Sequence, residues 1–537
     1  MSTSTRAGVR VEHPHQVRRL ILMQLRSVSI PLAAWIGGLT LLIAAVPPVY
    51  ASFFGDASEL DAMVGILAGS DAIALFFGPI PDHITIGSLF QWQLGAYAMI
   101  LIAVAAIVLT TGRRDEEGGI RELVQSTGVG ARRLNAAQIA LAIIPVALLA
   151  ILTAGALVVE GFFIAGLDTV GSVAISTALL LAGLAYAAIS LLLEQLLPQV
   201  SARRIALASV LVGYALRVAA DATGHIWIRW ITPLGWKDIL APYSKNLLVA
   251  ALPMLAIVIS LFALAHALFL HRELHGTYLR PRTASTARLQ VSSSLALAAR
   301  LARGSIASWT AVVLLLAVLF GTMATTVLDL AETSGYGDIL SSMTASANPT
   351  TQFVTVATMF LAILISVAGV LLTGASAAAE TAGLADMELS TGVSRYRFVG
   401  ARVTVAFLAT TLLALASAAV LAIGTAAQLD GAAGRRALLL SVSQLPGIYA
   451  ALGLSAAFYG MARRLMPLAW VAITWSAFIS WFGGMLRLPR WILHLSLFDY
   501  AADHDPNWIA LALLALIAVA GTALGLEFLR RRDITSQ

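Results

Sequence analysis

Only two of the 34 basic side chains are lysines, Lys237 and Lys245, and neither ends a GxxxxGK[ST] loop. Nucleotide hydrolysis needs such a loop, whose backbone amides and lysine hold the phosphates. The chain has no cysteine, which removes disulfides, thiolate metal sites and cysteine nucleophiles from consideration. Its nine histidines include no HExxH pair, and His13, His15, His271 and His275 fall in polar arms where a surface histidine is the plain reading. No nucleophile and base recur together, and no carboxylate cluster converges. The ionisable groups nearest the long apolar runs stand at run ends: Glu160, Glu194, Arg217, Asp221, His266, Asp329 and Glu527. An ion-coupled carrier usually needs a titratable group inside the membrane, so the energy for any transport is expected from another protein. Arg217 is the best candidate for a functional charge, against the alternative of a helix-end arginine reaching for the interface.

The elements that must position these groups are membrane helices. Of 537 residues, 59% are hydrophobic and 12% charged, about half the charge of a soluble domain. Twelve apolar stretches of about 20 residues, each long enough to cross the hydrocarbon layer as a helix, lie near 30–50, 90–111, 134–158, 172–194, 203–220, 248–270, 306–328, 351–373, 399–424, 437–458, 465–484 and 508–528. Alternate sides then carry 26 and 8 of the 34 Lys and Arg, which puts both termini on the cytoplasmic side of the membrane. The basic residues are scattered between apolar runs, so nucleic-acid binding is excluded as a reading. The first external segment, 51–89, carries Asp56, Glu59, Asp61, Asp71 and Asp82 without a basic residue.

Laid on itself in one fixed register, the chain pairs Glu116 with Glu380, Gly119 with Gly383, Glu122 with Asp386, Ser126-Thr127-Gly128-Val129 with Ser390-Thr391-Gly392-Val393, and Arg133 with Arg397. The same register pairs Trp227-Ile228 with Trp491-Ile492. The expected fold is therefore all-α: twelve transmembrane helices in two parallel six-helix repeats. Residues 1–29 form a cytoplasmic arm and interfacial helix, 30–270 the first half, 271–305 a basic linker with a second interfacial helix, and 306–537 the second half.

The repeated cytoplasmic segments, 112–134 and 374–398, are the informative feature. In the first, Glu116, Glu117 and Glu122 suit the positive end of a short helix, Ser126-Thr127-Gly128 breaks it, and Arg132-Arg133 return to the headgroups. Two copies of such a helix are what a membrane protein would offer to a twofold-symmetric cytoplasmic partner. The alternative is a solvated loop obeying the charge rule.

Through Glu116–Arg133 (EEGGIRELVQSTGVGARR) and Glu380–Arg397 (ETAGLADMELSTGVSRYR) the chain resembles the membrane subunits of actinobacterial ABC exporters of the polyketide-antibiotic (tetronasin) type. The 227–236 and 491–500 segments match that family's tryptophan-leucine-serine-proline-phenylalanine element loosely, with Pro233 in the first half and Leu497 in its place in the second. The resemblance implies a permease without its own ATPase site, and no cofactor on this chain. ATP and Mg would be held by a homodimer of a separate ATP-binding subunit. Residues 113–126 and 377–390 would be coupling helices seated on that subunit, through Glu116, Glu117, Arg121, Glu122, Ser126, Thr127, Glu380, Asp386, Glu388, Ser390 and Thr391. Segments 221–247 and 485–507 would be external re-entrant helices, and Tyr214, Arg217, Trp475, Phe478 and Trp481 would lie near the substrate path, although an aromatic on a membrane helix is more often packing or a lipid anchor. In the second half Asp386 stands for Glu122 and Thr381 for Glu117, which makes unequal docking a point to test.

The mechanism so implied is closure of the ATP-loaded partner dimer, drawing on both coupling helices and tilting the halves to open a path for amphipathic or hydrophobic, drug-like compounds. A proton-coupled twelve-span antiporter is the rival; its duplicated loops are typically shorter and basic, whereas these are acid-led. A membrane scaffold or lipid-modifying enzyme is a third reading, with no reactive constellation behind it.

Overall fold

The computed structural model describes residues 15–27, 29–53, 77–78, 81, 84–110, 116–273, 276–279, 291, 293–333, 348–381, 383–482, 489–500 and 507–532. Most of the acidic external segment and much of the 271–305 linker lie outside these. Every element among the described residues is helical, and the chain divides into two compact units, 1–286 and 287–537.

In the first unit, α1 (His15–Ser27) precedes α2 (Ser29–Phe53), α3 (Ile86–Leu109), the short α4 (Ile120–Ser126), α5 (Ala131–Glu160), α6 (Thr169–Leu196) and α7 (Gln199–Thr223). Two short pieces, α8 (Ile228–Ile231) and α9 (Trp236–Leu240), lead to α10 (Ala251–His271). Helix α6 is the central one: 78% of its most apolar window is buried against its neighbours. Its alanines Ala174, Ala178, Ala182, Ala185 and Ala188 explain why, because small side chains let neighbouring backbones approach where no solvent drives helices together. Asp168 fixes where it starts, accepting a hydrogen bond from the Gly171 amide.

The second unit runs α11 (Ser294–Thr322), α12 (Ala324–Thr333), α13 (Pro349–Thr381), the short α14 (Leu384–Leu389), α15 (Arg395–Gln428), α16 (Gly431–Ser443), α17 (Leu445–Met461), α18 (Pro467–Phe482), α19 (Arg490–Leu493) and α20 (Trp508–Arg531). Helix α13 is its buried element. The closest approach is between α17 and α20, where a Cβ placed on Gly460 would lie 2.0 Å from the Gly525 carbonyl oxygen.

Ten helices among the described residues are long and apolar enough to cross a membrane, and an eleventh span appears if the two arms of α3, bent by 46° between Gly95 and Tyr97, are taken together. Helices α16 and α17, joined at Gln444, form one such span. The eleventh expected stretch, 465–484, is described as α18 through Phe482, and its last two positions lie outside the described residues. A difference lies at the start of the second unit. Residues 294–305 form no separate interfacial helix there; α11 continues unbroken through Thr322 from its Ser293 cap.

Candidate docking site at the repeated loop

The two repeated segments share their backbone. Gly119 and Gly383 enter the short helices at φ +72° and +70°, and Gly128 and Gly392 leave them at +87° and +85°. Glycine is the residue that takes this left-handed region without strain. The hydroxyls of Ser126 and Thr127 turn back onto the carbonyls of Leu123 and Val124, and those of Ser390 and Thr391 onto Met387 and Glu388, all at 2.7–2.8 Å. These four exposed residues thus shape the helix ends.

The helices are shorter than expected, at seven and six residues. Residues 377–381 belong to the unbroken α13, so the second short helix begins at Leu384 and not at the expected 377. The acids also behave differently from an exposed acidic front. Glu116 is 1% exposed and Glu380 3%. Arg272, at the end of α10, donates Nη1 to Glu116 Oε1 at 2.9 Å and Nη2 to its other oxygen, while Arg121 pairs with the same carboxylate. Arg272 Nε also donates to Gln195 Oε1 of α6 at 3.1 Å. In the second unit, Arg532 at the end of α20 donates Nη2 to Glu380 Oε2 at 2.7 Å, and the Tyr459 hydroxyl of α17 donates to the same oxygen at 3.0 Å. Such partners matter because an unpaired carboxylate is costly away from water. Glu116, Arg121 and Glu380 are therefore buried within their units by these pairs, a correction to the expectation of an exposed docking surface. Glu388 is likewise engaged, with Arg402 Nη2 of α15 at 2.8 Å.

Glu117, Glu122 and Asp386 remain exposed, with Glu117 Oε1 also accepting from the Gln199 amide at 3.1 Å. Beside them stand apolar side chains that the acid pattern hid. Ile120 is 50% and Leu123 70% exposed; Leu384 and Met387, their counterparts in the register that lays Glu116 on Glu380, are 55% and 69% exposed. Position i and i+3 lie on one helix face, so each short helix presents one apolar pair rimmed by acids. In a chain this hydrophobic, Leu123 and Met387 carry no signal of their own in the sequence.

Arg217 is in a different place, a buried cluster that joins α7 to the 224–247 segment. Its Nε lies 3.2 Å from Asp238 Oδ2 and 3.4 Å from Asp221 Oδ2; Arg229 Nη2 meets Asp221 Oδ1 at 2.6 Å. Lys237 Nζ lies 2.7 Å from Asp238 Oδ1 and 3.2 Å from Gln91 Oε1 of α3. Burial pushes the Lys237 ammonium down. Burial alone would push the Asp238 carboxyl up, but Lys237, Arg217 and Arg229 together hold it below the usual carboxylate range. The Tyr214 ring lies 5.8 Å from the Arg217 guanidinium. Trp475 and Phe478 are exposed on α18, and Trp481 packs edge-on against Phe360 at 5.8 Å. Tyr214 and Arg217 are thus brought together in one unit, and the three α18 aromatics lie along one helix of the other.

Among the described residues no three His, Asp or Glu side chains converge to hold a metal ion. Each unit has a small apolar recess beside its first tryptophan, lined by Trp35, Ile102, Pro145 and Leu149 in one and by Trp309, Ala368, Ala409 and Leu413 in the other. Neither approaches the size of a drug-binding cavity.

Ten or eleven apolar candidate spans among the described residues, in two compact units, mark this as a multi-pass helical membrane protein. Residues 291–530 match the family described as multidrug efflux system permease Rv1217c, C-terminal domain. Over 516 residues, 94% of this chain and 91% of the relative, it is 27% identical to the multidrug efflux system permease protein Rv1217c of Mycobacterium tuberculosis (strain ATCC 25618 / H37Rv). The likeness is to a permease and not to an enzyme.

Proposed function

We propose that this chain is the membrane subunit of an ABC exporter, moving amphipathic or hydrophobic drug-like compounds out of the cell with ATP hydrolysed by a separate subunit. The observation that carries this is the repeated loop. Two helices, alike in backbone and far apart in sequence, each hold out a matched apolar pair, Ile120 with Leu123 and Leu384 with Met387. A solvated loop gains nothing from exposing leucine and methionine in two copies, whereas a dimeric ATP-binding subunit has two equivalent clefts to receive them. The naming of the relative as a multidrug efflux permease supports the cargo class, and the lack of a phosphate loop in this sequence supports an external ATPase. The arginine distribution supports a cytoplasmic position for both loops and both termini.

The apolar pairs would fill hydrophobic floors in the partner, with Glu117, Glu122 and Asp386 meeting its basic rim. The test is a double substitution, Leu123→Glu with Met387→Glu. Both side chains are exposed, so the fold is retained, and co-purification of the ATP-binding subunit with the tagged chain is expected to be lost. Undiminished co-purification together with undiminished drug efflux would refute the docking assignment.

A further inference from the structure

We infer that the buried carboxylate opening each repeated segment, Glu116 and Glu380, is a latch that transmits movement of the docking helix to the fourth and last long helices of its own unit. This rests on the docking reading and deepens it.

The latch has three corresponding parts in both units: a buried glutamate, an arginine at the C-terminal end of the unit's last helix, and a side chain on the helix running ahead of the unit's fifth expected span, which hydrogen-bonds the arginine in the first unit and the glutamate in the second. In the first unit these are Glu116, Arg272 of α10 and Gln195 of α6; in the second, Glu380, Arg532 of α20 and Tyr459 of α17. The register that lays Glu116 on Glu380 also lays Gln195 on Tyr459. Arg272 and Arg532 depart from it by four positions, yet each is the C-cap of its unit's last helix with the same extended backbone, φ -88° and ψ 137° in one and φ -87° and ψ 139° in the other.

Three physical features make this a mechanical link. A helix of six or seven residues has no stable orientation of its own, because nucleation outweighs so few backbone bonds. Its direction must come from tertiary pairing. The glutamate–arginine pairing is charge-assisted and, in the first unit, two-pronged, which fixes angle as well as distance. Finally, the pairs are buried, and a buried carboxylate parted from its arginine is strongly disfavoured, so a pull on the docking helix moves α10 or α20 before the pair opens. A second strap runs in each unit: Arg121 of α4 joins the Glu116 pair and lies 4.2 Å over the Phe269 ring of α10, while Glu388 of α14 is held by Arg402 of α15. Glu116 and Glu380 are thus positioning residues. They touch neither the ATP-binding subunit nor the cargo.

The experiment compares the full chain with Glu116→Gln plus Glu380→Gln, co-expressed with the ATP-binding subunit and reconstituted in liposomes, and reads dye efflux per ATP hydrolysed. Glutamine keeps the shape and one acceptor but removes the charge. The ratio is expected to fall about tenfold while the partner still co-purifies, since the apolar pairs are untouched. Exchanging the charges, Glu380→Arg with Arg532→Glu on the Glu116→Gln background, is expected to recover most of the second unit's share, which a merely structural loss would not allow. Should the glutamine variant fold poorly, Arg532→Lys, which keeps the charge and loses the fork, reads the same ratio and is expected to lower it. An unchanged ratio in whichever variant folds overturns the latch and leaves docking intact; a native chain that captures no ATP-binding subunit overturns docking itself.

Discussion

Asp238 shows how much a single carboxylate can hold. It sits between Lys237 and Arg217 with Arg229 nearby, and its folded-state carboxyl titrates below the ordinary 3.8. The folded protein therefore releases this proton more readily than the unfolded chain. Its charge stabilises the 224–247 segment at pH above 3.8 and that contribution is lost as pH falls through the ordinary value and below it. Hydrogen exchange of residues 224–247, corrected for intrinsic rates, is expected to show steady protection from pH 7 to 5 and a loss below about 4. Asp238→Asn is expected to be less protected throughout the upper range, because Arg217 and Lys237 lose their shared partner, at a cost of about 3–5 kcal/mol for a buried pair broken on one side. The same pH profile in both proteins would contradict the assignment. This cluster was only partly legible in the sequence. Arg217 stood out as a charge at a helix end, but the pairing with Asp238 depends on how 224–247 folds back, and no local pattern encodes it. Glu116 is the sharper case. Read locally it is one of several acids at a helix front; its partner Arg272 lies 156 residues away, so its burial follows from the packing of α10 against the loop and from nothing within the loop.

The α17–α20 pair decides how the second unit is built. Glycines at 453, 460, 521 and 525 let the two backbones touch, the small-residue geometry expected of helices that associate without a solvent driving force. Corresponding positions in the first unit include Leu196 and Leu261, so α6 and α10 are spaced by side chains. Gly460→Val is expected to lower the thermal midpoint in detergent markedly, because the obstructing atom is backbone and cannot turn aside; overpacking costs about 1–3 kcal/mol even where side chains can adjust. Leu261→Met, which conserves volume, is expected to cost less than about 1.5 kcal/mol. Equal midpoints for the two variants would count against close α17–α20 packing. At this scale the sequence was informative where apolar length alone decides, as for α5, α6 and α10. It was less so where a break is set by tertiary contact: the bend in α3 falls at Gly95, where a Cβ would meet the Lys237 stem at 2.8 Å, and that contact is invisible to hydropathy. The short α14 was legible through its flanking Gly383 and Gly392, but its start was misplaced because 377–381 continues α13.

At the scale of the whole molecule, the proposed permease draws its energy from a separate ATP-binding subunit through two matched loops. The candidate spans, the two-unit division and the likeness to a multidrug efflux permease agree with a transport subunit. The source of energy is the part that rests on the loops. The most direct measurement is dye efflux from liposomes holding the full chain, with and without its co-purified ATP-binding subunit, under either ATP or an imposed pH gradient. Efflux that requires both the subunit and ATP, and is insensitive to the gradient, is the predicted result. Efflux by the chain alone, driven by the pH gradient without nucleotide, would contradict it.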